Sequence, residues 1–319
     1  MGFEIWREGE VGVQMINVTV CTPTYNRAHL LQRPFKSLLK QSCKNFIWLV
    51  VDDGSNDGTE SVVEELKKRA DFPIEYVRKD NGGRHTALNF SYKFIKTPYV
   101  INLDSDDELT ENAIELLEKN IAIIEEKAIN DIWQISGLCI DSVSGKIVGE
   151  LYPDFINDLP LNRQRKLFCK LKCEKSNCRK VEILKQYPFP EYPDTKFVTE
   201  NTIWEKINQK YRSYCVNDVF RVYYQDSADS LGKGKIHSSS KMKSRYYYAI
   251  FVLNELFHEI TYNKDVLFSL INIGRASIDL KISPRKVLCE MNALYKKILI
   301  ILFGYPLGFI FYLYKDVLK

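Results

Sequence analysis

The chain has 319 residues, of which 45% are hydrophobic and 27% are charged, and its formal net charge is +4 at pH 7. These proportions are ordinary for a folded protein with a sizeable core. The small charge argues against a dedicated nucleic-acid-binding protein, in which basic residues are more numerous and more concentrated. The eight cysteines lack the paired C-x-x-C spacing of a zinc site, so we expect reduced thiols in a cytoplasmic protein.

The N-terminal stretch MGFEIWREGE contains acidic residues and no apolar h-region. It therefore does not have the pattern of a secretory signal peptide. We expect the catalytic part of the protein to lie in the cytoplasm.

Short apolar runs alternate with helix-like segments at the start of the chain. The runs expected to form buried strands are NVTVCT (17–22), FIWLVV (46–51), IEYV (74–77) and YVINL (99–103). Apolar residues recur at helical spacing in TESVVEELKKRA, in RHTALNFSYKFIK and after the fourth run. This repetition predicts an α/β fold with a mainly parallel sheet flanked by helices.

The pattern changes after about residue 130. DIWQISGLCID and KIVGEL, joined by SVSG, are predicted to form a hairpin, FVTENTIWEKINQKY a helix, and SYCVNDVFRVYYQ a later strand. From about Ser238 onward the spacing of apolar residues is helical. We therefore predict one domain over residues 1–230 and a C-terminal helical tail over residues 231–319.

Four polar loops are predicted to lie at one edge of the sheet. Three of them, CTPTYNR, VVDDGSNDGT and NLDSDDEL, follow the ends of predicted strands, and the fourth, KDNGGRHTALN, opens a helix. Ligands of open parallel sheets bind at the carboxyl ends of the strands. We therefore expect these loops to share one binding site.

The loop after the fourth strand carries Asp104, Asp106 and Asp107 within four positions. Carboxylates so close together repel one another unless a cation lies between them. Oxygen ligands of this kind suit Mg²⁺ or Mn²⁺, which also bind the phosphate oxygens of a diphosphate. An Asp-x-Asp pair is weak evidence alone, and Asp107 and Glu108 could instead cap the helix that follows.

The NGGRH sequence favours an anionic ligand such as a pyrophosphate. Gly82 and Gly83 permit close approach of the backbone, and Arg84 and His85 follow at a predicted helix N-terminus. The structural alternative is a helix-opening turn with a solvated arginine.

Several common enzyme motifs are missing. No G-x-G-x-x-G follows the first strand, and the sequence contains neither a Walker G-x-x-x-x-G-K-[ST] nor a G-x-S-x-G elbow. Dinucleotide oxidoreductases, P-loop NTPases and serine hydrolases of the α/β type are therefore poor fits.

The motifs together resemble those of family 2 glycosyltransferases of the GT-A fold. VTVCTPTYNRAHLLQRPFKSLLKQS, WLVVDDGSNDGT, NGGRHTALN and INLDSDDELTENA occur in the order typical of that family. The resemblance covers about residues 16–225 and leaves the tail outside it. It implies a Rossmann-like GT-A domain, a UDP-sugar donor, and Mn²⁺ or Mg²⁺ as cofactor. It also implies transfer of a hexosyl or N-acetylhexosaminyl group with inversion at the anomeric carbon.

The resemblance implies roles for three residues near the base of the nucleotide. Pro23 and Tyr25 would border the uracil, with the ring of Tyr25 stacked on it. Asp53 would accept a hydrogen bond from the uracil N–H. From the residues alone, both Tyr25 and Asp53 could equally belong to turns.

The resemblance also assigns the diphosphate side of the donor. Arg84 and His85 would lie towards the diphosphate. Asp106 would bind the metal directly, and Asp104 would hold the ribose or a water on the metal.

The segment KFVTENTIW resembles the part of the family that carries the general base. Glu200 is the candidate for that role. The commoner form has an Asp after the Glu, where this chain has Asn201, so Asp194 is kept as the second candidate. The structural alternative is that Glu200 caps its helix.

Residues 298–314, ILIILFGYPLGFIFYLY, contain no charged side chain. Their 17 positions are fewer than the ~20 that a spanning helix needs, and Gly304, Pro306 and Gly308 interrupt them. Tyrosines, phenylalanines and flanking lysines predict peripheral contact with the headgroup region of a membrane. The basic, aromatic run KMKSRYYYAIFVLNELF supports the same interpretation, and a buried helix or a dimer contact is the alternative.

These expectations describe an inverting glycosyltransferase that uses a glycan or lipid-linked acceptor in synthesis of capsule, exopolysaccharide or O-antigen. It would act at the inner face of the cell membrane. A sugar-1-phosphate nucleotidyltransferase is an alternative, but it needs a glycine-rich loop with a following Lys after the first strand, which CTPTYNR lacks. A non-catalytic nucleotide- or glycan-binding relative is favoured only by Asn201.

Overall fold

The computed structural model describes residues 16–192, 195–224, 239–257 and 263–314. The N-terminal decapeptide and Asp194 lie outside the described residues. The described chain forms two compact units. The first comprises residues 16–188 and 207–224, and the second comprises 189–192, 195–206, 239–257 and 263–314.

The first unit is built on a mixed sheet of eight strands. The strands are β1 (Val18–Thr24), β2 (Phe46–Asp52), β3 (Ile74–Arg78), β4 (Tyr99–Asn102), β5 (Glu108–Leu109), β6 (Ile132–Asp141), β7 (Lys175–Lys180) and β8 (Arg212–Tyr223). Their order across the sheet is β3-β2-β1-β4-β7-β6-β8-β5.

Strands β1 to β4 form the parallel half of the sheet that the sequence predicts. Strand β1 pairs in parallel with both β2 and β4, and β2 pairs in parallel with β3. Every residue of β1 and β2 is buried, which explains why neither strand contains a charged residue before its last position. The loops after β1, β2 and β4 therefore leave the sheet at one edge.

Six α-helices accompany the sheet in the described part of the first unit. They are α1 (Gln32–Leu39), α2 (Thr59–Arg69), α3 (Arg84–Ser91), α4 (Ala113–Glu126), α5 (Leu161–Lys170) and α6 (Val181–Gln186). Helix α2 buries Val63 and Leu66, as its spacing predicts. The core includes Phe35 of α1 stacked on Trp48 of β2, with ring centroids 6.1 Å apart.

The second half of the sheet differs from the prediction in one respect. Strand β7 lies antiparallel between β4 and β6, and β6 pairs in parallel with β8. Strand β7 flanks only residues 134–138 of β6, so KIVGEL can pair with β6 only near the turn. The predicted hairpin is confirmed there over a single antiparallel bridge, which joins Ile140 to Ile147, and it does not extend further.

The second unit is helical in the part that the structure describes. Its helices are α7 (Asn201–Ile207, of which 201–206 belong to this unit), α8 (Ser239–Phe251), α9 (Asn263–Asp279), α10 (Pro284–Cys289), α11 (Leu294–Leu299) and α12 (Tyr305–Tyr312). A π-helical segment, Ile300–Gly304, makes α11 and α12 one continuous helix. The domain boundary near residue 230 stays a prediction, because residues 225–238 lie outside the described ranges.

The core of the second unit contains part of the run KMKSRYYYAIFVLNELF. Met242, Tyr246 and Leu253 are buried against Ile273 and Val287. These side chains of the run therefore stabilise the helical unit from within, and they do not form a surface for lipid.

Candidate active site

The loop after β1 is fastened to the loop after β2. Asn26 has a left-handed backbone, with φ of 51°, which Asn tolerates better than most residues. Its backbone N–H donates to Ser55 Oγ at 2.9 Å, and its Oδ1 accepts from the Asn56 N–H at 2.9 Å. Pro23 is buried within β1, whereas Tyr25 is 47% exposed. The ring of Tyr25 is thus presented at the edge of the sheet by a fixed loop.

Asp53 holds in place residues 79–83, here named the glycine loop, which contain Gly82 and Gly83. Its Oδ1 accepts from Lys79 Nζ at 2.9 Å and from the Gly82 N–H at 3.0 Å. Its Oδ2 accepts from the Gly83 N–H at 2.7 Å and from Asn81 Nδ2 at 3.2 Å. Gly83 has a φ of 95°, which a residue with a Cβ rarely adopts. The contact between Asp53 and uracil stays a prediction.

Helix α3 begins directly after the glycine loop and contacts residues 103–107, here named the acidic loop, which carry Asp104, Asp106 and Asp107. Arg84, its first residue, forms an ion pair with Asp104 through Nη1 and Oδ1. Burial alone would raise the pKa of Asp104, but the guanidinium of Arg84 and those of two other arginines outweigh it and lower that pKa. His85 is buried beside Arg84 in the first turn of the helix.

Two more arginines contact the middle of the acidic loop. Arg27 Nη1 lies 3.4 Å from Asp106 Oδ2 and 3.4 Å from Ser105 Oγ. Arg33 Nη1 donates to the Asp106 carbonyl oxygen at 2.6 Å, and its guanidinium lies 3.9 Å from the centre of the Tyr224 ring. Sequence reasoning missed both arginines. The sequence contains one signal for Arg27, which lies in CTPTYNR, a loop predicted to share the sheet edge with the clustered carboxylates. Clustered carboxylates need a neighbouring cation, which Arg27 provides.

Asp107 belongs to the support of the loop. It is buried, with Oδ2 3.3 Å from Arg221 Nη1, and its Oδ1 accepts from the Tyr224 N–H at 3.0 Å. Burial raises the pKa of Asp107 to about 7, the neighbouring aspartates add to the rise, and Arg221 opposes it. Arg221 also pairs with Glu174 at 2.6 Å, and this anionic surrounding raises its own pKa against the effect of burial.

The alternative that Asp107 and Glu108 cap the next helix is wrong. Glu108 lies in β5, which pairs antiparallel with β8. Helix α4 begins only at Ala113, with Asn112 before it. The pairing of β5 with β8 draws the loop towards β8 instead, and this explains why Asp107 meets Arg221.

The donor set fits a divalent ion that is shared with a diphosphate. Asp104 and Asp106 provide hard carboxylate oxygens, which at present contact Arg84 and Arg27. Within the described ranges, no three His, Cys, Asp or Glu side chains gather into a metal site. Mg²⁺ commonly takes one or two carboxylates and completes its shell with phosphate oxygens and water.

Glu200 belongs to the second unit, where it directly precedes α7. Its carbonyl oxygen accepts from the backbone N–H of Ile203 at 3.1 Å and of Trp204 at 3.3 Å. Its Oε2 accepts from the indole Nε1–H of Trp204 at 3.3 Å. The indole lies edge-on to Phe189, with ring centroids 5.5 Å apart. The Trp204 side chain thus contacts both the candidate base, Glu200, and the ring of Phe189.

Comparison with known sequences identifies glycosyltransferases among the relatives of this chain. Residues 19–133 match the family model described as Glycosyl transferase family 2. The chain is 27% identical over 258 residues to the Campylobacter jejuni protein named GalNAc(5)-diNAcBac-PP-undecaprenol beta-1,3-glucosyltransferase, covering 79% of this chain and 77% of that protein. A Rickettsia conorii glycosyltransferase is 34% identical over 149 residues, which span 45% of this chain and 24% of that longer protein.

Solved structures with a similar fold include complexes with nucleotide sugars. Staphylococcus aureus TarS in complex with UDP-GlcNAc superposes with a TM-score of 0.56 at 16% identity, covering 92% of this chain and 89% of that chain. The Pyrobaculum calidifontis mannosyltransferase PcManGT, in complex with GDP-Man and Mn²⁺, has a TM-score of 0.51 at 19% identity over 94% and 81%. The fold is that of the GT-A glycosyltransferases. The family-model match over residues 19–133 and the curated relatives support a family 2 glycosyltransferase, as the motifs predict.

Proposed function

We propose that this glycosyltransferase moves a hexosyl or N-acetylhexosaminyl group from a UDP-sugar to a glycan or lipid-linked acceptor, with inversion at the anomeric carbon. One observation carries the proposal: Arg84 and Arg27 converge on Asp104 and Asp106 at the carboxyl edge of the parallel strands. Paired charges of both signs suit a diphosphate and its counterion. The UDP-GlcNAc bound to TarS and the undecaprenol-linked acceptor in the name of the Campylobacter relative support the choice of substrates.

The proposed product is a surface polysaccharide such as capsule, exopolysaccharide or O-antigen. The enzyme works on the cytoplasmic side of the cell membrane, with peripheral contact through residues 298–314. A lipid-linked acceptor is confined to that surface, so contact with it brings enzyme and acceptor together.

In the proposed complex, the uracil lies between Pro23 and the exposed ring of Tyr25. The uracil N–H donates to Asp53 in exchange for the longest of the contacts of that carboxylate, the one from Asn81 Nδ2 at 3.2 Å. The other contacts keep the glycine loop in position while the base binds.

The diphosphate lies towards Arg84 and His85. Arg84 turns from Asp104 to the phosphate oxygens, where its guanidinium opposes the negative charge that develops on the leaving group. Asp106, assisted by Asp104 through the ribose or a water, would hold Mn²⁺ or Mg²⁺. When bound, this ion supplies further positive charge at the diphosphate.

Glu200 is the proposed general base, with Asp194 as the second candidate. The acceptor oxygen attacks the anomeric carbon from the face opposite the diphosphate and gives its proton to the Glu200 carboxylate. The new carbon–oxygen bond forms as the bond to the diphosphate breaks, so configuration inverts without a covalent intermediate.

Calorimetric titration with UDP tests the donor part of this proposal. We expect wild-type protein to bind UDP and Arg84→Ala to bind at least about tenfold more weakly, because a charge-assisted contact to phosphate is lost. Arg163→Ala is the control, since Arg163 is exposed on α5. Absence of UDP binding by the wild-type protein would overturn the nucleotide-sugar proposal.

A further inference from the structure

We infer that the second unit binds the surface of an anionic lipid bilayer through two helices, α9 and the continuous helix Leu294–Tyr312. The inference rests on the proposed membrane contact of residues 298–314 and extends it to α9. It assigns to the membrane a defined surface, here named the apolar face.

The apolar face consists of large side chains that the fold leaves in contact with solvent. Each is between 45% and 60% exposed: Leu267 and Phe268 on α9, and Ile301, Leu302, Phe309 and Ile310 on the C-terminal helix. Soluble proteins rarely leave so many large apolar side chains of two packed helices uncovered. The buried side chains of these helices face the core of the unit instead, so the exposed ones are available to another phase.

Glycines bring the two helices into direct backbone contact. A Cβ on Gly274 would lie 2.0 Å from the Gly304 carbonyl oxygen, and one on Gly308 would lie 2.5 Å from the Arg275 nitrogen. Gly304 and Gly308 are four residues apart, the spacing of small residues at close helix crossings in membranes. Van der Waals contact between the two backbones therefore holds α9 against the C-terminal helix, and this contact does not depend on the hydrophobic effect.

The crossing also connects the two parts of the apolar face. A Cβ on Gly304 would lie 3.3 Å from the carbonyl oxygen of Leu270. Leu267 and Phe268 lie within one helical turn of Leu270, and Ile301 lies within one turn of Gly304. The exposed residues of both helices thus flank the same contact.

The charged group at the crossing is kept inside the unit. Arg275 is buried, its Nε lies 3.4 Å from Asp279 Oδ2, and its guanidinium lies 5.4 Å from the centre of the Phe311 ring. Its charge is therefore balanced within the helix pair.

Length and charge favour a bilayer as the occupant. The helix Leu294–Tyr312 has 19 residues, and its most apolar stretch has a mean hydropathy of 1.6 with only 22% of it buried. Among the described residues it is the one helix long and apolar enough, by length and composition, to cross a membrane. At a rise of ~1.5 Å per residue it extends for about 28 Å, which gives a long line of peripheral contact along a membrane surface. Exposed Lys281, Arg285 and Lys286, around the start of α10, suit anionic headgroups.

Sedimentation with vesicles of phosphatidylglycerol and phosphatidylcholine tests the inference on the full chain. We expect the wild-type protein to sediment with them and the variant Leu302→Glu/Ile310→Glu to partition at least about tenfold more weakly, because two apolar side chains become carboxylates. The matched control is Leu151→Glu/Phe155→Glu, which changes side chains of the first unit with exposures of 54% and 56%. This control is expected to partition like wild type.

UDP binding, measured on the same samples, separates this inference from the proposed function. UDP binding without vesicle partitioning by the wild-type protein would overturn the inference and leave the transferase proposal standing. Equal partitioning of the Leu302→Glu/Ile310→Glu variant and the wild type would also overturn it. A dimer without lipid affinity that dissociates in this variant would assign the apolar face to a second copy of the chain.

Discussion

Arg84 at the start of α3 pairs with Asp104 in the loop after β4, and this contact joins the glycine loop to the acidic loop. Asp53 anchors the same glycine loop one residue earlier, through the N–H of Gly83 at 2.7 Å. The edge of the sheet is therefore held by charges from three separate loops. Changes to any of them are expected to affect both stability and binding of the donor.

Asp53→Asn tests the anchoring of the glycine loop. The change removes the charge that pairs with Lys79 and replaces an acceptor by a donor facing backbone N–H groups. We expect the free energy of unfolding to fall by about 2 kcal/mol and UDP to bind at least about tenfold more weakly. Thermal denaturation and calorimetry measure the two effects. Asp80→Asn, at an exposed neighbouring position, serves as control, and equal behaviour of both variants would contradict the prediction.

Trp204→Phe tests whether the indole positions the proposed base. The variant retains an aromatic ring against Phe189 but loses the N–H that bonds Glu200 at 3.3 Å. We expect kcat for transfer to fall about tenfold with an unchanged donor KM, because the change acts on the base and not on donor binding.

The control for this variant is Trp133→Phe, which removes an indole bond of 3.0 Å to Asn208 Oδ1 in the first unit. Both variants lose an indole hydrogen bond, so loss of stability alone would affect them alike. Glu200→Gln should abolish transfer; if it does and Trp204→Phe keeps full kcat, the positioning role is wrong.

The glycine crossing of the second unit gives a graded prediction. Gly274→Ala places a Cβ 2.0 Å from a backbone oxygen, whereas Gly304→Ala meets its nearest atom only at 3.3 Å. We expect Gly274→Ala to lower the free energy of unfolding by about 2–3 kcal/mol, as overpacking does in other interiors. Gly304→Ala should have the smaller effect. Denaturant unfolding compares the two, and the reverse order would mean that the helices do not cross at these glycines.

Glu118 on α4 is expected to make stability depend on pH. Burial raises its pKa above the ordinary value of 4.5, although Asn17 Nδ2 donates to Oε2 at 2.7 Å and opposes the rise. Because its pKa is raised, the folded state binds the Glu118 proton more tightly than the unfolded state does. The contribution of Glu118 to stability is therefore fully present below about pH 4.5 and is lost as the pH rises above that value.

The Glu118→Gln variant should therefore lose less stability than wild type when unfolding is followed from pH 4 upward, with the difference growing from about pH 4.5. Glu115→Gln, an exposed change on the same helix, provides the comparison. Parallel stability profiles for Glu118→Gln and wild type would contradict the prediction.

Much of the first unit could be predicted from the sequence because the information is local. Strands β1, β2 and β4 are rich in β-branched and other apolar residues, and each is followed by a loop with a recognisable motif. Strand β7 could not be found in this way, because KSNCRK is mostly polar and becomes a strand only by pairing with β4 and β6. That pairing is specified by the sheet as a whole.

The same distinction applies to the site. Asp104 and Arg84 lie in motifs, and the structure brings them together as their common sheet edge predicts. Arg221 has no local signal, since it reaches Asp107 only because β8 pairs with the two residues of β5. The local pattern therefore groups Asp107 with the ligand-binding aspartates or with a helix cap, although its partner Arg221 lies on a distant strand.

The most direct measurement is release of UDP from a panel of UDP-sugars by the purified protein, with Mn²⁺ or with chelator, beside Asp106→Ala. We expect slow, metal-dependent release from one sugar, and loss of that release in the variant. This result would establish the donor and the need for Asp106 at once. Failure of every UDP-sugar to be hydrolysed, together with absence of UDP binding, would contradict the nucleotide-sugar transferase.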